Sequence, residues 1–245
     1  MHTEKDGELV AWVGRIGAAG AEHVMERFAM GRSWAYARLG RLVAAGLLGQ
    51  RMLLYRRPGL YVATAEGLRW QGLQRLGVYH VGAGGFEHAR QLAAVAVALE
   101  RGLPGWRVAS EREIRLEEAD AGRLIASVEV GEPRGGRPAL HRPDLVLLSP
   151  QGRVVAVEIE LSCKAPRRLA AICRGWARAR HIDAVYYLTA PAAVRGLDRA
   201  IAETRAQERI TVLALDGAPM LTRELEELHA PCLSTRSRSS RSSPS

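Results

Sequence analysis

The sequence predicts an α/β protein with a helical N-terminal domain, a mixed α/β domain and a polar tail. Apolar residues recur at helical spacing through the first third of the chain. Short apolar runs separated by turn residues follow, and the chain ends in STRSRSSRSSPS, which cannot build a core. The glycine-rich segment VGAGG at 81–85 is expected to link two domains. We therefore expect domains over residues 1–80 and 86–217, with a disordered tail over 231–245.

The charge distribution indicates a polyanionic partner such as nucleic acid. The formal net charge is +9, and residues 1–80 hold eleven basic and six acidic side chains. Residues 81–230 are nearly neutral, whereas residues 231–245 hold three arginines and no acid. The basic character therefore lies at the two ends of the chain.

Other features predict a cytoplasmic protein without membrane contact. No run of about 18 apolar residues occurs, and the N-terminus lacks a signal-peptide pattern. The cysteines, Cys163, Cys173 and Cys232, fit neither a disulfide framework nor a zinc-binding spacing. A reduced compartment is therefore expected.

The N-terminal domain begins with three predicted helices. Residues 7–17 place four apolar side chains on one helical face: Leu9, Val10, Val13 and Ile16. A second short helix follows, and a third starts after a break at Gly31, with Ser33 as its N-cap. In this third helix Arg38 and Arg41 are expected to point outwards. Its expected inward side chains are Ala37, Leu39, Leu42 and Val43.

Two short strands then flank the turn signal Arg57-Pro58-Gly59. Three helices and a hairpin match the winged helix-turn-helix plan, in which the third helix enters the major groove of double-stranded DNA and the hairpin contacts the backbone. From Gly31 to Ala65 the chain has six arginines and no acid. The expected DNA-binding residues are polar side chains of the third helix and the hairpin: Arg32, Ser33, Arg38, Arg41, Arg51, Arg56 and Arg57. A winged helix used for protein contact is the alternative.

The second domain is predicted as helices and strands in mixed order. A helix runs from about Phe86 to Arg101, and a strand lies in SEREIRLE. The runs LVLLS and RVVAVEIEL form a hairpin around PQG, and Ser162 caps the helix that follows. The arginines of that helix, either a phosphate contact or a solvated face, are Arg167, Arg168, Arg174 and Arg178. DAVYYLTA and RITVLAL are the last two strands, with a helix between them.

Three acids interrupt the apolar runs of this hairpin. Because side chains alternate across a strand, Glu158 and Glu160 share one face of RVVAVEIEL, beside Asp144 at the start of the partner strand. Clustered carboxylates repel one another unless a cation lies between them, and carboxylate oxygens are normal ligands of Mg²⁺. Lys164, one of two lysines in the chain, follows four residues after Glu160. A solvated edge strand with salt bridges is the alternative.

This pattern predicts a Mg²⁺ or Mn²⁺ site with Asp144, Glu158 and Glu160 as ligands. The metal would lower the pKa of a bound water, and Lys164 would stabilise charge on a phosphate. The expected activity is metal-dependent hydrolysis of DNA phosphodiester bonds. The histidines at 80, 88 and 141 show no metal-ligand spacing, and His141 is expected in a loop.

The motif Pro143-Asp144 followed by Glu158-Ile159-Glu160 resembles the PD-(D/E)xK restriction-endonuclease-like superfamily. This resemblance implies a restriction-endonuclease-like mixed α/β domain in which the three acids and Lys164 are catalytic. Glu160 stands where the pattern places lysine, so Lys164 is interpreted as a migrated lysine. The helix before the sheet often supplies another acid in this superfamily, and Glu87 is the candidate.

The wider pattern is similar to the replication-relaxation family of plasmids and mobile elements. The similarity rests on FEHARQLAAVAVAL, ASEREIR, RPDLVLL, VAVEIELSCKAPRRLAAICRGWARA and VYYLTAPAAVRGL, behind a winged helix. It covers most of residues 10–215 and implies DNA binding and a role in plasmid replication control. The alternative is a non-catalytic regulator of replication or transcription whose nuclease-like domain serves recognition or dimerisation. Winged-helix regulators are often homodimers, although no coiled-coil heptad occurs here.

Overall fold

The computed structural model describes residues 3–131, 139–162 and 164–227, and it has the mixed α/β class that the sequence predicts. The predicted tail over 231–245 and two of the cysteines, Cys163 and Cys232, lie outside these residues. None of the helices in the described ranges combines the length and the apolar character that a membrane crossing needs.

The N-terminal part consists of helices and a small sheet. Its elements are α1 (Glu4–Ile16), β1 (Ala18–Gly20), α2 (Ala21–Arg27), α3 (Arg32–Ala44), β2 (Leu48–Arg51), β3 (Leu60–Ala63) and α4 (Ala65–Trp70), followed by a 3₁₀ turn over Gln74–Leu76. The strands form an antiparallel sheet in the order β1-β3-β2. The predicted hairpin is therefore present, whereas β1 was not predicted.

The start of α3 differs from the prediction. α3 begins at Arg32 with Gly31 as its N-cap, so the predicted Ser33 cap is wrong. Gly31 already has the extended backbone of an N-cap, which places Ser33 inside the first turn. The inward face is shifted as well, because Ala35 is buried and Ala37 is exposed.

The second part contains the main sheet. Its elements are α5 (Phe86–Gly102) after a 3₁₀ turn (Ala83–Gly85), β4 (Arg107–Ser110), α6 (Glu111–Ala121), β5 (Val128–Glu129), β6 (Leu140–His141), β7 (Leu145–Leu148), β8 (Val154–Glu160), α7 (Pro166–Arg178), β9 (Ala184–Thr189), α8 (Pro191–Thr204), β10 (Ile210–Ala214) and α9 (Ala218–Glu227). Five strands form one sheet in the order β10-β9-β8-β7-β4, and β5 pairs with β6 separately. β8, β9 and β10 are parallel, whereas β7 is antiparallel to both β8 and β4.

Helices cover both faces of the five-stranded sheet. Val157 and Ile159 of β8 belong to a core cluster that includes apolar residues of α5 and α9. Ala156 belongs to the cluster on the opposite face, to which α7 contributes Trp176 and α8 contributes Leu197. Burial on both sides explains why five of the seven residues of β8 are apolar.

Capping chemistry explains two boundaries that were predicted incorrectly. The prediction of a strand in SEREIRLE is wrong, because β4 ends at Ser110 and α6 begins directly after it. Ser110 and Glu113 form a capping box, in which the Glu113 carboxylate accepts from the Ser110 backbone N–H at 2.9 Å. α7 begins at Pro166, a residue suited to a first helical turn, so Ser162 is not its cap.

The N-terminal part packs directly on the second part. Leu9 and Trp12 of α1 belong to the same core cluster as Val95 and Leu99 of α5. The ion pairs that cross the junction include Arg90–Glu22 at 2.6 Å, Arg101–Glu26 at 3.1 Å and Arg75–Asp120 at 2.7 Å. A continuous core and these charge pairs therefore hold α1 and α2 against α5 and α6.

Candidate functional site

The predicted acids lie at the end of the middle strand of the five-stranded sheet and beside it. β8 is the middle strand, so the alternative of a solvated edge strand is wrong. Only 2% of Glu158 and 3% of Glu160 is exposed. Both lie on the strand face opposite Val157 and Ile159, as alternation predicts. Asp144 directly precedes β7, and the register of β7 on β8 places it opposite Glu158.

Each of these carboxylates is paired with a separate basic side chain. The pairs are His141 Nε2 with Glu158 Oε1 at 2.5 Å, His88 Nε2 with Asp144 Oδ1 at 3.3 Å, and Lys164 Nζ with Glu160 Oε2. The second oxygen of Asp144 accepts a hydrogen bond from the backbone N–H of Ile159 at 2.7 Å. The chain itself therefore supplies a partner for every acid of the cluster.

The surroundings of these pairs shift their proton affinities. Burial raises the pKa of Glu158 above its ordinary value, although the neighbouring His141 acts against that shift. The hydrogen bond to Asp144 raises the pKa of His88, and burial opposes this effect. Because the pKa of His88 is raised, His88 stays cationic to a higher pH than a free histidine does.

A cleft of about 620 Å³ opens over these pairs, and we call it the acidic cleft. Its lining includes the four predicted catalytic residues, Asp144, Glu158, Glu160 and Lys164. Glu87 also lines the cleft, but it is exposed and accepts a hydrogen bond from Gln91 of its own helix. The structure thus brings the predicted set together, with Glu87 at its margin.

The oxygens that could bind a metal ion here are those of Asp144, Glu158 and Glu160. In the part of the chain that the structure describes, no group of three or more His, Cys, Asp or Glu side chains is arranged to hold one. Each of the three carboxylates is bound to its own basic partner instead. As arranged, the residues do not fit one shared Mg²⁺ or Mn²⁺ ion.

Two histidines of the acidic cleft were not predicted as site residues. His141 lies in β6 instead of the expected loop, and its ring centroid is 5.6 Å from that of Trp176. His88 lies in the first turn of α5, far from Asp144 in sequence. Neither contact follows from sequence spacing, because each forms only when α5 and β6 pack beside the ends of β7 and β8.

A second candidate site lies on α3, at the end of β2 and on the loop between β2 and β3. Its exposed polar residues are six of the seven predicted DNA-binding residues: Arg32, Ser33, Arg41, Arg51, Arg56 and Arg57. In the same segments, 69% of Trp34 and 87% of Tyr55 is exposed. The Arg32 guanidinium lies 5.8 Å from the ring centroid of Tyr36, and that of Arg56 lies 5.2 Å from that of Tyr55. We call this group the basic surface.

Arg38 does not belong to the basic surface, and its predicted outward orientation is wrong. It is 7% exposed, and its Nε lies 3.0 Å from Oδ1 of Asp6. Helical spacing puts Arg38 on the same side of α3 as Ala35 and Leu42, which are buried. The carboxylate of Asp6 on α1 supplies the counter-charge that a buried guanidinium needs.

The two sites differ in how their charged groups are engaged. In the acidic cleft Asp144, Glu158 and Glu160 are paired with basic side chains, and Glu158 and Glu160 are buried. The basic surface instead consists of exposed arginines, Ser33 and aromatic rings. Each combines side chains from separate segments of the chain. No family model, no curated protein and no solved structure matches this chain.

Proposed function

We propose that the protein binds double-stranded DNA through the basic surface. The observation that carries this proposal is the exposure of five arginines and three aromatic rings between Gly31 and Ala65, a segment without any acid. None of these five arginines forms an ion pair with a carboxylate in the described part of the chain. Free guanidinium groups can therefore bind phosphate oxygens and guanine edges.

The order of the N-terminal elements supports a winged helix-turn-helix mode of binding. α1, β1, α2 and α3 are followed by the β2–β3 hairpin, whose loop over residues 52–59 we call the wing loop. In this proposal α3 enters the major groove and the wing loop contacts the backbone. The resemblance to the replication-relaxation family extends the proposal to replication control on plasmid or mobile-element DNA.

Salt-dependent DNA binding tests this proposal. We expect Arg41→Gln combined with Arg57→Gln to weaken binding of a labelled duplex, measured by fluorescence anisotropy. The slope of log K against log salt should also become shallower, by about 0.9 for each phosphate that is no longer neutralised. The control, Arg195→Gln with Arg199→Gln on α8, removes the same charge and should bind like the unmodified protein. Equal binding by all three proteins would refute the basic surface as the DNA site.

We propose further that the second part of the chain recognises DNA without cleaving it. The pairing of each acid in the cleft with its own basic partner supports this, because metal-assisted hydrolysis needs carboxylates that are free to share a cation. The nuclease-like motif around Asp144 and Glu158 then belongs to a domain that serves recognition or dimerisation. Metal-dependent hydrolysis of DNA is the competing function.

A plasmid assay separates these two functions. Supercoiled plasmid is incubated with the protein and Mg²⁺ or Mn²⁺, and we expect a gel shift without nicking or linearisation. Asp144→Asn and Lys164→Ala provide the comparison. Cleavage that is present in the unmodified protein and abolished in both variants would overturn the non-catalytic proposal and make the acidic cleft a hydrolytic site.

A further inference from the structure

The helix that follows the middle strand carries an unbalanced positive charge. Its arginines, all exposed, are Arg167, Arg168, Arg174 and Arg178. α7 contains no Asp or Glu, and in the described part of the chain none of the four arginines forms an ion pair with a carboxylate. By contrast α8, which packs against α7, balances two arginines with Asp198 and Glu203.

Helical spacing aligns three of these arginines. Arg174 and Arg178 are about one turn apart, and Arg167 precedes Arg174 by about two turns. They lie on the side of α7 opposite Ile172 and Trp176, which are buried in the core. The resulting stripe is about 16 Å long, which matches roughly five nucleotide steps of one DNA strand at about 3.4 Å each.

The stripe borders the acidic cleft through the first turn of α7. Arg168 lines the acidic cleft and also a second cavity of about 440 Å³ between α7 and the β5–β6 pair. His141 lines both cavities as well, so the two adjoin. A phosphate backbone can approach this rim because the acids of the cleft are paired with His88, His141 and Lys164, which reduces their repulsion.

The wing loop is connected to the same cleft through the start of α5. Leu53 of the wing loop packs against a core cluster that contains Phe86 and Ala89 of α5. Between these two residues lie Glu87 and His88, which line the acidic cleft. The core cluster under the wing loop and the acidic cleft therefore share the first turn of α5.

We propose that α7 is a second contact with the phosphate backbone of double-stranded DNA. Arg167, Arg174 and Arg178 bind phosphates along one strand, and Arg168 holds that strand at the rim of the acidic cleft. This inference rests on the proposed DNA binding by the basic surface and assigns the second part of the chain a share of the binding energy.

The test uses two matched double variants of the full chain. Arg174→Gln with Arg178→Gln changes α7, and Arg195→Gln with Arg199→Gln changes α8. In each pair the two arginines are exposed and lie four residues apart. The two variants therefore remove the same charge. Anisotropy titrations of a labelled duplex at several salt concentrations should give a slope that is shallower by about 1.8 for the α7 variant and unchanged for the α8 variant. Far-UV circular dichroism checks that both variants are folded.

Three outcomes would overturn the inference. An unchanged slope in the α7 variant, while Arg41→Gln with Arg57→Gln loses affinity, would remove α7 from the interface and leave the proposed function standing. Equal decreases in affinity for the α7 and α8 variants would show a general effect of net charge instead of a specific phosphate site. If the unmodified protein binds no duplex, the proposed function fails, and the inference fails with it.

Discussion

At the scale of single residues, burial beside a partner of opposite charge distinguishes the charged groups that stabilise the fold from those that are exposed and available for the proposed binding of DNA. Arg38 and Arg41 lie three positions apart on α3, yet Arg38 is paired with Asp6 and Arg41 is exposed. Burial tends to raise the pKa of Asp6, but hydrogen bonds from Thr3 and the charge of Arg38 lower it overall. Asp6 therefore stays ionised beside Arg38 and keeps that arginine away from any ligand.

The buried pair predicts opposite effects for two neighbouring arginines. Arg38→Ala leaves the Asp6 carboxylate buried without its partner, so we expect the free energy of unfolding to fall by about 3 kcal/mol. Arg41→Ala removes only exposed atoms and should change it by less than about 0.5 kcal/mol. Urea denaturation measures both values. Equal stabilities for the two variants would contradict the buried position of Arg38.

Glu118 predicts how stability depends on pH. Its Oε1 accepts backbone N–H groups of Ile125, Ala126 and Ser127 at 3.0, 3.1 and 2.9 Å. Burial tends to raise the pKa of Glu118, but the hydrogen bonds from Ser127 and these backbone groups lower it overall. Because the pKa is lower in the folded state, this stabilisation is complete above the ordinary value of 4.5 and is lost as the pH falls below it.

Comparison of the unmodified protein with Glu118→Gln checks this dependence. At neutral pH we expect the variant to be less stable by about 2 kcal/mol, because its hydrogen bonds no longer have a charged acceptor. Urea denaturation at decreasing pH should show the difference shrinking below the ordinary pKa of the carboxyl. A difference that stays constant over the whole pH range would exclude the charge of Glu118 as its cause.

At the scale of elements, helix starts depend on which residue has the backbone conformation of a cap. Ser110 ends β4 and accepts a hydrogen bond from the Glu113 backbone N–H as the N-cap of α6, and its hydroxyl donates to the Arg15 carbonyl at 2.7 Å. Ser33 has the same side chain but lies inside the first turn of α3 and is exposed. The position of the serine, and not its chemistry, therefore decides whether it stabilises the start of the helix.

The two serines form a matched pair for mutagenesis. We expect Ser110→Ala to lower the free energy of unfolding by about 1–2 kcal/mol, because it removes the hydroxyl that accepts from the Glu113 backbone N–H and donates to the α1 carbonyl. Ser33→Ala should leave it nearly unchanged. Thermal or urea denaturation compares the variants, and a larger decrease at Ser33 would restore Ser33 as the cap of α3.

At the scale of the whole molecule, the core crosses the junction between the two parts. α1 packs on α5 through Leu9, Trp12 and Leu99, and ion pairs link α2 to α5. The basic surface and the acidic cleft are therefore carried by one packed body. In the proposed function, DNA bound at the wing loop would therefore contact two sites of the same packed body.

This shared core predicts that both parts unfold together. In native-state hydrogen exchange, the most protected amides of α1 and β8 should report the same free energy of opening. Leu99→Ala, which removes about 2–5 kcal/mol of core packing, should lower both values equally. Protection that falls in α1 alone would show that the N-terminal part unfolds separately.

Local chemistry explains what could be predicted from the sequence. Periodicity and turn signals predict most helices and strands, since these patterns depend on neighbouring residues only. Strand alternation predicts that Glu158 and Glu160 share a face, and the acidic cleft contains both together with Asp144 and Lys164. The capping box at Ser110 is also a local signal, and the strand prediction overlooked it.

Contacts between segments that are distant in sequence decided the features that the sequence did not predict. The place of β8 in the middle of the sheet follows from its pairing with β7 and β9, and this pairing buries two acids that a solvated edge strand would have exposed. The packing of α5 and β6 brings His88 and His141 to these carboxylates, and the packing of α1 buries Arg38. Such partners cannot be read from spacing along the chain, because the energy of a buried charge depends on groups that only the folded structure brings within a few ångströms.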